Sequence, residues 1–206
     1  MTDLLLEAAQ KYKSLSNVVY RIILGRKRIC YEILLRFPEE SFYHLAGLQH
    51  LTDITFPSKN KQRIFKEILK GNVSTDTLKK SVFYEDYFIE ERLTCLCSIE
   101  EMLDTGGQFY SIIPQKISRY SSIRADFLFE YTPLSSSITY AFLIFEGSNS
   151  NVNEYRLCSL FQKHSQDLTL GAAKTTLLYM EKITNDDSNN IQQIVLYHNP
   201  SFKEAS

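Results

Sequence analysis

The chain has 206 residues, a hydrophobic fraction of 44% and a formal net charge of −1 at pH 7. These values are ordinary for a globular protein that buries its own core. They exclude a uniformly basic chain, so any surface that binds nucleic acid must be a local one. No Pro-, Gly- or Ser-rich linker divides the sequence, and we expect a single domain over residues 1–206, with an N-terminal part over about 1–105 and a C-terminal part over about 106–200.

Two features bear on where the protein works. The leucine run over residues 4–6 lies between Asp3 and Glu7; it is too short to cross a bilayer and does not have the pattern of a signal peptide. The four cysteines form no Cys-x-x-Cys pair, which is typical of reduced thiols. We therefore expect a cytoplasmic protein that does not associate with a membrane.

The start of the chain predicts a helix followed by a β-ribbon. Apolar residues recur at near-helical spacing over residues 3–15, which predicts an amphipathic helix. The β-branched and aromatic segments 18–24 and 29–37 flank the turn Gly25-Arg26-Lys27-Arg28. This pattern predicts a two-stranded antiparallel ribbon with a basic tip formed by Arg26, Lys27 and Arg28.

Three helices are predicted after the ribbon and the segment that follows it. Ser58 is the expected N-cap of a helix over residues 59–70, which ends at Gly71. Ser74 is the expected cap of a short helix that runs to Lys80. A longer helix is predicted over about 85–104. Its inward face is expected to carry Phe88, Ile89, Leu93, Leu96, Ile99 and Leu103, and the helix is expected to close at Gly106-Gly107.

The pattern of the C-terminal part differs from that of the N-terminal part and predicts strands joined by polar loops. The predicted strands are residues 110–113, 124–131, 139–146, 155–161, 176–183 and 191–198. Helices first and strands later are typical of an α+β fold. We expect N-terminal helices and the β-ribbon to pack on a mainly antiparallel β-sheet.

The segment from Phe42 to Leu51 holds two of the four histidines. Its apolar residues recur at helical spacing, which buries one face and leaves His44 off that face. His44 is then either a hydrogen-bonded part of the scaffold or a group that moves protons. Zinc is not expected, because His44 and His50 lie about 120° apart on an ideal helix and no carboxylate stands between them.

Charge is unevenly distributed. Residues 21–36 and 59–80 are rich in lysine and arginine, whereas residues 85–104 are acidic apart from Arg92. The basic segments are either solvated helix and strand surfaces or local positive potential for phosphate groups. The sequence alone leaves both readings open.

Motifs for several common enzyme classes are missing. There is no Gly-x-x-x-x-Gly-Lys, Gly-x-Gly-x-x-Gly or Gly-x-Ser-x-Gly sequence, so nucleotide hydrolysis, dinucleotide redox chemistry and α/β-hydrolase chemistry are not supported. Basic and hydroxyl side chains instead gather near the first strands of the predicted sheet: Lys116, Ser118, Arg119, Tyr120, Ser121, Ser122, Arg124 and Asp126. A smaller set contains Lys174, Thr175, Thr176 and Tyr179. Such groups could hold a phosphodiester without metal, or form only a polar turn beside an edge strand.

The order of these pieces resembles a known nuclease family. Six pieces carry the resemblance, which extends from about residue 17 to 183. They are the ribbon that ends at Phe37, the Phe-x-His-Leu-x-Gly-Leu-x-x-Leu stretch over 42–51, the lysine-rich helix, Lys80-Ser81, Arg92, and Ser122-Ile123-Arg124-Ala125-Asp126. The family is the fourth phage-encoded group of the Barnase, EndoU, colicin and RelE-like (BECR) nucleases. The resemblance implies helices beside a compact antiparallel sheet and a metal-independent RNase activity without a cofactor. It also implies phage or mobile-element contexts, in which such domains are proposed to act as toxins.

The resemblance also suggests roles for individual residues. His44 matches the family's histidine and would be the general acid or base in attack by the ribose 2′-hydroxyl. From their chemistry and not from the resemblance, Arg124 and Lys116 would bind phosphate, with Ser122 beside them; Lys174 and the ribbon tip would contact RNA. A second histidine would have to be His50 or His164, and the sequence places neither beside His44.

Two other functions stay open at this point. A non-catalytic module on the same fold could bind a nucleic acid or a protein, such as an antitoxin or a phage or host protein, through the ribbon tip. A structural phage component would instead assemble with itself. The sequence favours the nuclease with RNA as its partner.

Overall fold

One curled sheet of nine strands forms the framework of the described residues, and helices from the N-terminal half pack on it. The computed structural model describes residues 3–117, 121–133, 137–149, 152–185 and 190–203. The helices are α1 (Leu4–Ser14), α2 (Ser41–Leu45), α3 (Lys61–Leu69), α4 (Thr75–Leu78), α5 (Ile89–Cys97), α6 (Ile99–Thr105) and α7 (Pro114–Ile117). Short 3₁₀ helices cover Leu15–Asn17, Leu48–His50 and Leu168–Gly171.

The strands follow two different orders, one along the chain and one across the sheet. They are β1 (Val18–Arg26), β2 (Ile29–Arg36), β3 (Gln108–Ile112), β4 (Phe127–Tyr131), β5 (Thr139–Asn149), β6 (Val152–Gln162), β7 (Ala172–Lys174), β8 (Thr176–Asn185) and β9 (Ile191–His198). Across the sheet the order is β7-β3-β4-β5-β6-β2-β1-β8-β9. Only β2 and β6 pair in parallel among these neighbours. The predicted α+β fold with a mainly antiparallel sheet is confirmed.

The sheet curls strongly towards closure. Thr175 alone separates β7, at one edge, from β8, near the other edge. Its backbone nitrogen and its hydroxyl both donate to the carbonyl of Phe109 in β3, at 3.0 and 2.8 Å. The two ends of the strand order are therefore brought together, as a flat sheet could not allow.

The predicted β-ribbon is confirmed as β1 and β2. Arg26 pairs with Ile29, so the connection is the two-residue turn Lys27-Arg28, and both turn residues have positive φ, at 49° and 66°. Such turns match the right-handed twist of paired strands. β1 lies deep in the sheet, and its Tyr20 side chain is fully buried.

The helix caps follow the predictions in part. Ser74 caps α4 as predicted, and its hydroxyl accepts a hydrogen bond from the Thr77 amide. The predicted Ser58 cap is wrong: Asn60 caps α3, because its side-chain oxygen accepts from Arg63 N at 2.9 Å. Ser58 instead accepts a hydrogen bond from the Asn60 amide.

The predicted helix over 85–104 is two helices, and one of its inward residues faces outward. The Ser98 hydroxyl donates to the Thr94 carbonyl, and the backbone departs from helical geometry at Ser98, which separates α5 from α6. Phe88 has φ 52°, a left-handed value, and its ring is 44% exposed. The helix begins after it, at Ile89.

The predicted strands are present with shifted ends, and two short elements were not predicted. Residues 124–126 precede β4 instead of belonging to it. The strand β7 and the helix α7 carry no strong sequence pattern. One hydrophobic cluster joins residues of both halves of the chain, from Leu5 to Met180. Within the described residues, no helix combines the length and the apolarity that are needed to cross a bilayer.

The segment over 42–51 bends at a glycine. Its apolar side chains are buried as predicted, and the Phe42 ring packs against Phe65 and Tyr12, with centroid distances of 4.9 and 5.7 Å. Gly47 then takes φ 74°, and the chain continues as the 3₁₀ helix over Leu48–His50. The apolar side is fixed in the core, and His44 and His50 remain partly exposed.

Candidate active site

A cleft of about 610 Å³ opens past the C-terminal end of β2. Four segments form its walls: the bent segment over 42–51, the start of α5, the loop before β4, and the end of β6 with the residues after it. Three of the four histidines line this cleft, namely His44, His50 and His164. The sequence placed neither of the last two beside His44, whereas the fold brings all three to one cavity.

His44 is half-buried at the end of α2 and contacts a lysine. Lys61 Nζ, at the start of α3, lies 2.6 Å from His44 Nε2. Burial first, then the positive charge of Lys61, lowers the pKa of His44 below its ordinary value. The ring is therefore neutral at pH 7, with Nε2 accepting the hydrogen bond from the lysine. A neutral imidazole is the form that accepts a proton.

His50 lies flat against a tyrosine. Its ring stacks on Tyr87 with centroids 4.1 Å apart and an interplanar angle of 5°. Its Nε2 lies 3.0 Å from the Gln49 side-chain nitrogen. Burial and the charge of Arg92 lower the pKa of His50. This ring is also neutral at pH 7, and its orientation is fixed on both sides.

Arg92 brings a positive charge into the cleft without a carboxylate partner. Its Nε donates to the Tyr87 carbonyl at 3.1 Å, and Nη1 donates to the Leu160 carbonyl at 3.3 Å. Its guanidinium lies 5.5 Å from the centre of the Phe161 ring. It makes no ion pair with any residue that the structure describes. A partly buried cation held only by carbonyl groups and a ring is suited to an anionic ligand.

Gly47 allows this arrangement. A side-chain carbon at position 47 would lie 2.8 Å from Ile89 Cδ1 and 2.9 Å from Arg92 Cδ. The positive φ of 74° is also a conformation that glycine adopts without strain. The glycine of the His44 segment therefore lets the backbone approach Ile89 and Arg92 closely.

The turn before α5 contributes to a second aromatic pair as well. The Phe88 and His164 rings lie 4.2 Å apart at an angle of 31°. His164 Nε2 is 3.3 Å from the Glu91 carboxylate. His164 is exposed, so it can reach a ligand in the cleft.

Ser122 and Arg124 lie in the loop before β4 and line the same cleft as His44. Both are exposed, and Arg124 makes no ion pair within the described ranges of the chain. The Cys158 thiol donates to the Arg124 carbonyl at 3.6 Å. Burial raises the pKa of this thiol to about 11, so it is protonated at pH 7.

The other predicted site residues lie elsewhere. Lys116 is exposed on α7 and does not line the cleft. Lys174 is on β7 and lines a separate cavity of about 430 Å³. The ribbon tip is at the far end of β2 from the cleft, separated by roughly 23 Å of extended strand. The predicted cluster also named Ser118, Arg119 and Tyr120, which lie outside the described residues.

The sequence analysis did not place His50 or His164 in the site, gave Arg92 no role beyond the family pattern, and did not single out Tyr87 or Phe88 as site residues. One signal was present, because Arg92 is the single basic residue of the acidic stretch over 85–104. Tyr87 and Phe88 carried no such signal, since the apolar spacing predicted that Phe88 faces inward.

The cleft combines imidazole rings with guanidinium groups. Imidazole rings exchange protons near pH 7, and unpaired guanidinium groups stabilise negative charge on phosphate oxygens. Among the described residues, no group of three or more His, Cys, Asp or Glu side chains is arranged to hold a metal ion.

Comparison with known proteins identifies the family. Neither the curated proteins nor the solved structures that were compared with the chain include a match. A family model described as phage-Barnase-EndoU-ColicinE5/D-RelE like nuclease4 matches residues 4–196. This range contains every residue that lines the cleft, and it confirms the resemblance seen in the sequence. The chain therefore belongs to the fourth family of phage-encoded Barnase/EndoU/colicin/RelE-like nucleases.

Proposed function

We propose that the protein is a metal-independent endoribonuclease that cleaves RNA by attack of a ribose 2′-hydroxyl on the adjacent phosphate. The observation that carries this proposal is the meeting of His44, Arg92 and Arg124 in one cleft. These residues come from three distant parts of the chain, and together they supply a base and two cations. RNA is the polymer whose own hydroxyl can serve as the nucleophile.

His44 is the proposed general base. Its neutral ring accepts the 2′-hydroxyl proton, and the oxygen then bonds to phosphorus. Lys61 at 2.6 Å occupies Nε2 in the free protein. Because Lys61 is exposed, its ammonium group can turn to a phosphate oxygen and leave Nε2 free for the substrate.

The leaving 5′-oxygen needs a proton, and His164 is the proposed donor. The ring is exposed in the cleft, and the Glu91 carboxylate can pair with its protonated form. Breaking the bond between phosphorus and the 5′-oxygen then leaves a 2′,3′-cyclic phosphate on one fragment and a 5′-hydroxyl on the other. His50, stacked on Tyr87, is less suited to this role, because burial and the charge of Arg92 lower its pKa and favour the neutral ring.

Arg92 and Arg124 are proposed to stabilise the charge that develops on the phosphate oxygens. Neither guanidinium forms an ion pair with a carboxylate in the described part of the chain, so both can pair with a phosphate. Fixed cations aimed at a transition state provide a large share of catalysis in such sites. Ser122 lies beside Arg124 and can add a hydrogen bond to the phosphate.

The test compares wild-type, His44→Ala and His198→Ala proteins on a mixed RNA pool in the presence of chelator. His198 is the matched control, because it is a histidine on β9 that does not line the cleft. We expect cyclic-phosphate ends with wild type and with His198→Ala, and about 100- to 10,000-fold slower cleavage with His44→Ala. Cleavage that requires added metal, or that survives in His44→Ala, would overturn the proposal.

A non-catalytic binding module is the second candidate, and the ribbon tip favours it. Lys27 and Arg28 are exposed on a turn well away from the cleft, where they could bind RNA or an acidic partner such as an antitoxin or a phage or host protein. RNA binding without cleavage, lost on Lys27→Ala and Arg28→Ala substitution, would favour this function. Both candidates are proposed for the cytoplasm.

A further inference from the structure

Two neighbouring aromatic residues stand in the cleft with their rings partly open to solvent. Tyr87 is 39% exposed and Phe88 is 44% exposed. Each ring rests on a histidine: Tyr87 on His50, and Phe88 on His164. One face of each ring is covered by an imidazole, so the open area of each ring lies on its edges and its other side.

The backbone is held in a costly conformation that displays these rings. Phe88 has φ 52° and ψ 45°, which is left-handed and is rare for a bulky residue without a polar side chain. Conformations of this kind persist where the surrounding structure imposes them, and they concentrate at functional sites. An apolar ring turned into water next to a buried core gains nothing for stability. A ligand that covers it would recover that contact.

The same turn is tied to Arg92. Arg92 Nε donates to the Tyr87 carbonyl, and the Arg92 amide donates to the Phe88 carbonyl, both at 3.1 Å. The guanidinium and the two rings are therefore fixed relative to one another by a few covalent and hydrogen bonds. An anion on Arg92 would lie beside the turn that carries both rings.

We propose that the cleft takes single-stranded RNA, with unpaired bases on Tyr87 and Phe88 and the phosphate between them on Arg92. This rests on the proposed function, which it deepens by naming the substrate class. Aromatic platforms interleaved with a cation bind unpaired bases, because each base offers a flat face once it leaves its neighbours. Paired bases in a duplex are stacked on each other and cannot reach such rings.

A peptide could also cover two aromatic rings, but the charges favour nucleic acid. The cleft presents Arg92 and Arg124 without carboxylate partners among the described residues, beside three imidazoles. An apolar peptide would bury these guanidinium charges without compensation. A phosphodiester compensates them while its bases cover the rings.

The test is direct binding in chelator, on a His44→Ala background so that the RNA stays intact. Fluorescence anisotropy at fixed salt compares a labelled single strand with the same strand annealed to its complement. We expect tighter binding of the single strand. Tyr87→Ala and Phe88→Ala should each weaken that binding about 5- to 150-fold, the range that one stacked base contributes, and should leave duplex binding unchanged.

Val82→Ala is the matched control, because Val82 is 75% exposed and lies outside the cleft. It should bind both RNAs as the parent does. Tyr87→Phe should retain single-strand binding, since the ring is kept. If an alanine variant fails to fold, photocrosslinking of single-stranded RNA containing 4-thiouridine to the His44→Ala protein replaces it, and the crosslinked peptide must contain Tyr87 or Phe88.

The outcomes separate this inference from the proposed function. Equal binding of single and double strands, with no effect of the ring substitutions, overturns the inference even if wild-type protein cleaves RNA. Ring-dependent binding of the single strand supports the inference even if no cleavage is found, and then only the catalytic proposal fails. A protein that binds neither RNA but captures an apolar peptide on these rings also overturns it.

Discussion

Two arginines show how differently this fold treats positive charge. Arg21, in β1, donates to Glu32 at 2.5 Å and to Glu181 at 3.3 Å. Lys182 nearby is likewise paired with Glu100 and Asp104, each at 2.7 Å. Arg92 faces the cleft and is held by two carbonyl groups and the Phe161 ring. The charges of Arg21 and Lys182 are therefore paired within the fold, whereas the charge of Arg92 can pair with a ligand.

The largest expected effect comes from substitution of Arg92, the arginine in the cleft. Arg92→Met keeps much of the side-chain volume and removes the charge, so RNA cleavage should fall about 100- to 1,000-fold. Arg21→Met should leave the cleavage rate unchanged and instead lower the free energy of unfolding by about 1–3 kcal/mol, because Glu181 is buried and loses a charged partner. Cleavage kinetics and urea unfolding of both variants measure this. An equal loss of cleavage in both variants would contradict the assignment of Arg21 to the scaffold and Arg92 to the cleft.

Gly47→Ala should produce the next largest effect. The added carbon would meet Ile89 and Arg92 at less than 3.0 Å, and φ is +74°. We expect a loss of about 2–3 kcal/mol in unfolding free energy, with slower cleavage because Arg92 must shift. Gly71→Ala is the matched control: its φ is +77°, but no atom lies within 4 Å. It should cost about 1 kcal/mol and leave cleavage intact.

A smaller effect is expected from Lys61→Met. The Lys61 charge is one cause of the lowered His44 pKa, so its removal should raise that pKa. The general base must be neutral, and activity falls as pH drops through its pKa. The acidic limb of the pH profile of kcat/KM should therefore move to higher pH. If the acidic limb does not move, His44 is not the group whose protonation lowers kcat/KM at acidic pH.

The smallest effects are expected outside the cleft. Lys116→Ala and Lys174→Ala should change kcat/KM by less than about 2-fold, since neither side chain lines the cavity that holds His44. Initial rates at low substrate concentration measure this. A large loss in either variant would extend the RNA-binding surface beyond the cleft, as the sequence predicted.

Local rules predicted much of the fold. The ribbon was visible because β-branched segments flank a turn, and the Ser74 cap was visible because capping depends on residues a few positions apart. The break at Ser98 was not, since apolar spacing continues through it. The strand β7 is too short, and its Ala172-Ala173-Lys174 too neutral in propensity, to be recognised.

The site was predictable only in part, because it is assembled by long-range contacts. His44 and Arg124 were found from a motif and from chemistry. Their meeting with Arg92 and His164 depends on the parallel pairing of β2 with β6, which joins residues 34–36 to residues 154–156. No local pattern specifies that pairing. The inward prediction for Phe88 failed because its left-handed backbone overrides the periodicity.

The pairing of β1 with β8 has a consequence for how the protein is made. Val18 lies opposite Thr184, so the buried strand β1 waits for a partner that is synthesised much later. His164 is likewise absent from the cleft until the ribosome has passed it. Contacts between such distant residues form slowly. A nascent chain therefore carries His44 and Arg92 without an assembled cleft until the later strands have been made, so under the proposed function the ribosome that makes the protein is not exposed to cleavage before then.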